Sequence, residues 1–412
     1  MRHQLPVHSP LTLDALLAGA RAMLSPGGGA AAAERVASAL AERYAPESFL
    51  LTDSGTSALT LALRAASALH ATPVALPAYC CYDVATAAIG AGVPVLLYDL
   101  DPLTLGPNFA SLQRALQRGA RAVVVAHLYG VPVDLDWVQR LAAEHGALVV
   151  EDAAQGTGTA FGGRPAGSLG SLGVLSFGRG KGATGGGGGA LLANDESGRR
   201  ALDAVRQVPG RAPLGVRLLV ASVAQWLLAR PEIYGLPASL PFLGLGETAY
   251  REPSAPTGPA RFTLGTLART WPLADAEARA RRRNAGRILE VLGALQPAPV
   301  VPLRGAGAAT PGWLRLPALA VAGRRDALLG EHTRRLGIMP GYPRALPELE
   351  PLHPFVENGR DDFAGARHLA SELLTLPTHG RLDERDLAAL LSWLRQTAGR
   401  LTPLPSTLLA PA

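Results

Sequence analysis

Short apolar runs alternate with amphipathic segments along the first half of the chain. Between about residues 48 and 195, runs such as SFLLT, PVALP, VVVA and ALVV are each followed by a segment with helical spacing. Short apolar runs separated by helices are typical of a mostly parallel sheet that helices cover on both faces. The pattern therefore predicts a large α/β domain built on such a sheet.

This rhythm breaks between about residues 196 and 260. The segment VRLLVASVAQWLLARPEIYGLPASLPFLGLG (216–246) is apolar and interrupted by prolines, and REPSAPTGPA (251–260) has the composition of a linker. Strand and helix patterns resume after about residue 265. We therefore predict a large domain at 1–262, with an apolar insertion at about 200–250, and a smaller C-terminal α/β domain at 263–412.

The apolar insertion has two interpretations. Its stretch LLVASVAQWLL (218–228) is too short to cross a bilayer, which takes roughly 20 residues. A buried helix or part of a dimer interface is the favoured interpretation, because apolar helices usually belong to a core. Alternatively, residues 213–247 form a hairpin whose apolar side dips into a membrane surface while Arg217 and Arg230 meet anionic lipid.

Composition and charge exclude several classes of protein. The chain has 412 residues, of which 48% are hydrophobic and 17% charged, with a formal net charge of +6. Its arginines are scattered and only 5% of the residues are aromatic, which argues against nucleic-acid binding. The two cysteines are adjacent, so they indicate no disulfide framework and favour a reducing compartment. We expect a cytoplasmic protein without a signal peptide, a membrane span or a metal site.

One position stands out against this arginine-rich background. The stretch LSFGRGKGATGGGGGALL (175–192) contains Lys181, the only lysine among 39 basic residues. Arginine stays protonated near neutral pH, whereas a partly desolvated lysine amine can lose its proton and act as a nucleophile. A phosphate-binding P-loop is excluded, because Leu175 stands where that motif needs glycine and Gly182 follows the lysine. Lys181 is therefore a candidate for Schiff-base chemistry.

Three loops at predicted strand ends complete the picture. Small residues at Ser54–Ser57 open a helix; taken alone they indicate an ordinary helix cap, but the free N–H groups also suit a phosphate. Asp152 follows the strand ALVV, and taken alone it suits a helix cap or a magnesium ligand as well as pairing with a cationic ring nitrogen. Ser176 ends another strand shortly before Lys181. A phosphate cradle, a carboxylate and one lysine are together the parts of a pyridoxal 5′-phosphate (PLP) site.

Longer motifs point the same way. The segments SGTSALTLAL, VVVAHLYGVPVDLDWV, VVEDAAQGTGTAFGGRPAGSLGSLGVLSFGRGKG and LLTLPTHGRLDERDLAALL resemble the DegT/DnrJ/StrS sugar aminotransferases. The resemblance covers about residues 50–195 and 365–397. It implies fold type I of PLP-dependent transferases, with a seven-stranded, mostly parallel sheet and a smaller C-terminal α/β domain.

The resemblance also implies roles for individual residues. Lys181 would form the Schiff base and move protons, and Asp152 would hold the proton on the pyridine nitrogen. The other cofactor-binding candidates are Gln155 at the 3′-oxygen, the phosphate ligands Gly55, Thr56, Ser57 and Ser176, a stacking ring from either Tyr79 or Tyr82, and His127 in the family's H-x-x-G stretch.

The resemblance implies a homodimer that transfers an amino group from an amino acid, such as glutamate, to a keto sugar on a nucleotide or lipid carrier. The family's G-E-G-G after the lysine is all glycine here, and its partner-subunit Asn has no clear counterpart. Two alternatives stay open. One is a PLP enzyme that does not transaminate, such as a dehydratase or a lyase. The other is a PLP-binding sensor without turnover.

Overall fold

A seven-stranded sheet forms the centre of the structure, a computed structural model that describes residues 2–70, 72–206, 213–238, 248–305, 309–321, 323 and 325–400. The sheet has the spatial order β1-β9-β8-β5-β4-β2-β3, and only β9 runs against the other strands. The prediction of a large, mostly parallel sheet is therefore confirmed. The strands of the first half of the chain are β1 (Ser48–Thr52), β2 (Val74–Pro77), β3 (Val95–Tyr98), β4 (Ala122–Ala126), β5 (Leu148–Asp152), the small hairpin β6 (Ala160–Phe161) and β7 (Arg164–Pro165), β8 (Leu172–Ser176) and β9 (Gly189–Ala193).

Burial explains why these short runs form strands. Every residue of β2, β3, β4 and β9 is buried, as expected for strands that are covered on both faces. Apolar residues of α3 and α4 pack on one face of the sheet, and those of α5 and α6 on the other. The helices of this region are α1 (Leu13–Leu24), α2 (Gly28–Tyr44), α3 (Gly55–His70), α4 (Tyr82–Ala91), α5 (Phe109–Gln117), α6 (Asp136–Glu144) and α7 (Glu196–Ala204).

A second, antiparallel sheet follows in the chain, with the order β10-β11-β13-β12. It fits the expected smaller α/β unit, while the boundary at 262/263 stays a prediction. Its strands are β10 (Val300–Pro302), β11 (Leu316–Ala320), β12 (Met339–Pro340) and β13 (Leu373–Leu376). The remaining helices are α8 (Val216–Leu228), α9 (Gly235–Ala238), α10 (Arg261–Thr270), α11 (Ala274–Ala294), α12 (Arg325–Leu328), α13 (Glu331–Arg335), α14 (Ala364–Glu372) and α15 (Glu384–Gly399).

Helix α8 lies at the surface, next to α1 and α10. Its inner side packs through Leu218, Leu219 and Trp226 on a small apolar cluster that includes Phe262. Ser222 is its only fully buried residue, whereas Val220 is 64% exposed. Within a single chain α8 is therefore not a buried helix, while the other half of the favoured interpretation, a dimer interface, stays a prediction. Most residues of α8 are apolar, so the sequence pattern did not show which side of this helix faces solvent. The part of the insertion at 239–247 lies outside the described residues.

No helix in the described ranges is long and apolar enough to cross a membrane.

The topology brings three of the singled-out loops to one edge of the large sheet. Strands β1, β5 and β8 run parallel to one another, so their carboxyl ends lie at the same edge. Thr52, Asp152 and Ser176 are the last residues of these strands. Ligands of open α/β sheets bind at this edge, so we expect the functional site there.

Candidate active site

The loop after β1 forms an anion cradle at the start of α3. The Ser54 hydroxyl caps this helix by accepting a hydrogen bond from the Ser57 N–H at 3.0 Å, and it donates to the Ser57 hydroxyl at 2.9 Å. A Cβ atom at Gly55 would come within 2.6 Å of the Ser176 Cβ, so only glycine lets the two loops approach this closely. Gly55, Thr56, Ser57 and Ser176 line one cleft of about 420 Å³.

Lys181 lines the same cleft from a tight turn after β8. Thr184 closes this turn by donating its hydroxyl hydrogen bond to the carbonyl oxygens of Phe177 and Gly178, both at 3.2 Å. The Gly180 N–H donates to the Ser9 hydroxyl at 2.8 Å, which ties the turn to the N-terminal segment. The Lys181 side chain is half-buried, and no group in the described ranges accepts a hydrogen bond from its ammonium. Hydrogen bonds thus fix the backbone of the turn, while the Lys181 amine remains free to react with a ligand in the cleft.

Asp152 lies close enough to Lys181 for the two charges to act on each other. Burial raises the pKa of the Asp152 carboxyl above its ordinary value, while a hydrogen bond from the Ala154 N–H and the charge of Lys181 act in the opposite direction. The Ala154 N–H donates to Asp152 Oδ1 at 3.0 Å and so fixes one carboxylate oxygen. A desolvated carboxylate with one oxygen still free is a strong acceptor for a cationic N–H group.

Gln155 and four tyrosines form a second polar group near this edge. The Gln155 Oε1 atom accepts from the Tyr129 N–H at 2.8 Å, and its Nε2 atom donates to the Tyr342 hydroxyl at 2.7 Å. Tyr79 is fully buried, and its hydroxyl accepts from the Tyr342 N–H at 2.8 Å. Tyr82 lies at the first turn of α4, with its ring centroid 6.5 Å from that of Tyr342. Which of Tyr79 and Tyr82 would stack on a bound ring stays open.

His127 is directed away from the cleft and into the sheet. Its Nδ1 atom accepts from the Val133 N–H at 3.2 Å, so its Nε2–H donates to Glu151 Oε1 at 2.8 Å. Both side chains are fully buried. Burial alone would raise the pKa of Glu151, but the hydrogen bonds from His127 and from the Gly170 N–H hold it below its ordinary value. His127 therefore holds the buried Glu151, while its predicted contact with a cofactor stays a prediction.

The Glu151 environment predicts a pH-dependent stability. Glu151→Gln places an amide N–H₂ among donors from His127, Leu169 and Gly170, so it should lower the free energy of unfolding by about 1–3 kcal/mol at pH 7. Because the folded-state pKa of Glu151 is lowered, its contribution is present above the ordinary value of 4.5 and is lost as the pH falls below it. Urea unfolding between pH 4 and 7 measures both effects.

The gap in unfolding free energy between wild type and Glu151→Gln should therefore narrow toward pH 4. As a control, Glu384→Gln alters an exposed pair with Arg287 and should change stability by less than about 0.5 kcal/mol. An equal loss in both variants, or a gap that widens in acid, would contradict the assignment.

Comparison with known proteins accounts for the convergence of these loops. Residues 31–212 match the profile of the DegT/DnrJ/EryC1/StrS aminotransferase family. This segment, less than half of the chain, is similar to that family. It contains the anion cradle, Asp152, Gln155, Ser176 and Lys181, so the resemblance seen in the sequence motifs is confirmed for the part of the chain that holds the candidate site.

Two curated relatives and one solved structure illustrate the similarity. L-glutamine:2-deoxy-scyllo-inosose aminotransferase of Streptoalloteichus tenebrarius is 35% identical over 153 residues, or 37% of this chain and 36% of the relative. UDP-N-acetyl-3-dehydro-alpha-D-glucosamine 3-aminotransferase of Acidithiobacillus ferrooxidans is 35% identical over 149 residues, or 36% and 40%. The matches thus span well under two thirds of either relative's length.

The fold similarity extends further along the chain. GDP-4-keto-6-deoxy-D-mannose-3-dehydratase of E. coli, solved with bound hydrated PLP, has a TM-score of 0.72 and covers 96% of this chain and 100% of its own. Its sequence identity is 16%, so this match concerns the fold alone. The predicted fold class is confirmed, including its smaller C-terminal unit.

The structure adds residues to the cleft that the sequence did not indicate. Arg179 and Asp83 line it, as do residues 251–254 of the segment that was expected to be a linker. Asp53 holds that segment in place, because its Oδ1 atom accepts from the Thr257 N–H at 3.1 Å and its own N–H donates to the Thr257 carbonyl. Proline-rich sequence carries no periodicity, so nothing in the pattern linked this segment to the cleft.

Proposed function

We propose that this chain is a PLP-dependent aminotransferase. One observation carries the proposal: the anion cradle, Ser176 and the only lysine of the chain line a single cleft. The Asp152 carboxylate lies close enough to Lys181 for the two charges to interact. A cleft of this size is in the range of small-molecule sites. The close approach of Gly55 and Ser176, which a side chain at 55 would prevent, suits a phosphate held between them.

The candidate site residues then have distinct tasks. When bound, PLP supplies an electron sink that stabilises a substrate carbanion. The N–H groups of Gly55 and Thr56 and the hydroxyls of Ser57 and Ser176 would hold its phosphate at the positive end of α3. Asp152 would keep a proton on the ring nitrogen, and Gln155 would donate to the ring oxygen. Lys181 would provide the amine that binds the cofactor and would move a proton at the reacting carbon of the substrate.

We propose an amino-acid donor and a keto-sugar acceptor. The names of the two relatives support this pairing, since one gives L-glutamine as donor and the other a UDP-linked keto sugar as acceptor. Arg179 and Arg251 line the same cleft and would suit an anionic carrier or the carboxylate of the donor. The dehydratase alternative is supported by the fold that this chain shares with the E. coli dehydratase.

A half-reaction separates the proposed activity from its rivals. The PLP-loaded protein is mixed with glutamate or glutamine in the absence of any acceptor. An aminotransferase should release about one equivalent of the corresponding 2-oxo acid per site and lose the visible absorbance of the lysine-bound cofactor. A sensor without turnover, or a dehydratase whose substrate is itself an amino sugar, should retain that absorbance with every amino acid tested. A dehydratase that acts on a keto sugar also needs an amine donor, so it is separated by its product, because it removes water from the sugar whereas an aminotransferase adds an amine to it.

We further propose that the protein is a cytoplasmic homodimer. Cys80 and Cys81 are both free thiols, which supports a reducing compartment. Sites of this fold class usually lie at a dimer interface, and this expectation comes from the family resemblance. Light scattering of the purified protein measures the oligomeric state.

We also propose a peripheral membrane contact through residues 213–247. The outward side of α8 exposes Val216, Val220 and Leu227, all at helical spacing. Arg217 lies on this helix and Arg230 just beyond it, and no Asp or Glu occurs between residues 204 and 231. An exposed apolar helix face with one arginine on the helix and another just beyond it matches an anionic lipid surface.

A flotation experiment tests this contact. The double variant Val220→Ser/Leu227→Ser removes exposed apolar groups without touching the cluster beneath α8, so it should weaken binding to anionic vesicles about 10- to 100-fold. Val301→Ser, at a similarly exposed position in β10, is the matched control. Wild-type protein that never floats, or a double variant that instead dissociates a dimer in light scattering, would contradict the membrane contact.

A further inference from the structure

The side-chain amide of Gln155 has a fixed orientation. Its Oε1 atom accepts from the backbone N–H of Tyr129, and a backbone N–H can only donate. The amide nitrogen therefore has to lie on the other side, where it donates to the Tyr342 hydroxyl at 2.7 Å. An amide nitrogen carries two hydrogens, and these two bonds use only one of them. One N–H of Gln155 thus has no acceptor in the described ranges.

Tyr342 is itself held on two sides. Its backbone N–H donates to the Tyr79 hydroxyl at 2.8 Å, and its ring stacks on Tyr129 with centroids 5.6 Å apart and planes at 20°. A side chain at the neighbouring Gly341 would collide with the Tyr79 hydroxyl, so glycine is needed for this approach. The Tyr342 hydroxyl therefore has little freedom to leave Gln155.

The Tyr342 hydroxyl also stays neutral near physiological pH. Burial raises its pKa well above the ordinary value, and the nearby thiols Cys81 and Cys80 act in the same direction. A neutral hydroxyl accepts from the Gln155 amide while keeping its own proton for another partner.

We propose that Tyr342 is a positioning residue that locks the Gln155 amide, so that its remaining N–H faces the oxygen of the bound cofactor ring. This inference rests on the proposed function, because it needs a ring at Asp152 and Lys181. Tyr342 lies two residues after β12 and some thirty residues before β13, so the smaller unit would control the geometry of a residue on the large sheet.

The locked amide has a measurable consequence for the cofactor. A donor directed at the ring oxygen stabilises negative charge on that oxygen and weakens its hold on the proton of the lysine linkage. Without the Tyr342 hydroxyl, the Gln155 amide can rotate and this donor is lost part of the time. The pKa at which the lysine-bound chromophore changes colour should then rise.

The test is an absorbance titration of the PLP-loaded protein. Tyr342→Phe should raise the chromophore pKa by about 1, the effect of one hydrogen bond. Tyr98→Phe is the matched control. It also removes a hydroxyl from a fully buried tyrosine, one that donates to the Val124 carbonyl at 2.6 Å, and it should leave the chromophore pKa unchanged.

A double-mutant cycle shows whether Tyr342 acts through Gln155. Gln155→Ala should raise the chromophore pKa at least as far as Tyr342→Phe, and the second substitution should add nothing to the first. An unchanged pKa in Tyr342→Phe, or a full further rise in the double variant, would overturn the inference. A wild-type protein that forms no lysine-bound chromophore would instead overturn the proposed function itself.

Discussion

Lys181→Arg is expected to abolish both the visible absorbance of the bound cofactor and turnover, while the fold is retained. Arginine keeps the charge and approximate length of lysine, and the half-buried position beside a cleft of about 420 Å³ leaves room for it. A guanidinium does not lose its proton near neutral pH, so it neither forms the covalent linkage nor moves a proton at the substrate. We expect turnover to fall at least about a thousandfold, or about 4 kcal/mol of barrier.

The composition of this chain makes the experiment unusually clean. Lys181 is the only lysine, so the variant contains no side-chain amine that can take its place. Absorbance spectra are recorded after dialysis against free cofactor, with circular dichroism to verify the fold. Arg200→Lys, which places a new lysine on the exposed side of α7, is the control and should add no second chromophore. Wild-type absorbance in Lys181→Arg would rule out Lys181 as the covalent attachment site.

The large sheet and the parts of the site at its edge could be predicted because their signals are local. Each buried strand is a short apolar run, and each functional loop directly follows one. Gly55, Asp152 and Ser176 could therefore be placed at one edge from the strand pattern alone.

The site residues that the sequence did not indicate depend on contacts between distant segments of the chain. Tyr342 and Arg251 come from irregular segments, where no periodicity shows what they face. His127 follows a strand as expected, but its partner is Glu151, which points to the other side of β5 from Asp152. Successive side chains of a strand point to opposite faces of the sheet, which explains why Glu151 and Asp152 lie on different sides of β5.

The structural reason for the glycine run after Lys181 could not be predicted from the sequence either. The sequence marks it as a departure from the family's G-E-G-G motif, without a reason. In the structure, a side chain at Gly186 would collide with Ser222 of α8, and Gly187 lies next to Leu218 of the same helix. The glycines thus let the surface helix of the insertion lie directly behind the cleft, a contact that only the tertiary structure reveals.

Asp152→Asn is expected to retain the cofactor but to lose most turnover. The amide has nearly the same shape, so its oxygen can still accept from the Ala154 N–H, as the Oδ1 atom does now. It cannot, however, stabilise a positive charge on the ring nitrogen, because a neutral amide lacks the charge that a buried carboxylate brings. The electron sink should weaken, and kcat should fall about 10- to 1000-fold, at about 1.4 kcal/mol per factor of ten.

Separating binding from chemistry decides whether Asp152 has this role. The dissociation constant of PLP should change by less than about tenfold, while the single-turnover rate with the amino donor carries the full loss. Asp195→Asn is the matched control, because this aspartate caps α7 by accepting from the Gly198 N–H at 2.7 Å and asparagine caps helices equally well. An unchanged single-turnover rate in Asp152→Asn would mean that the ring nitrogen finds its charge partner elsewhere, and the carboxylate beside Lys181 would then serve only to end β5.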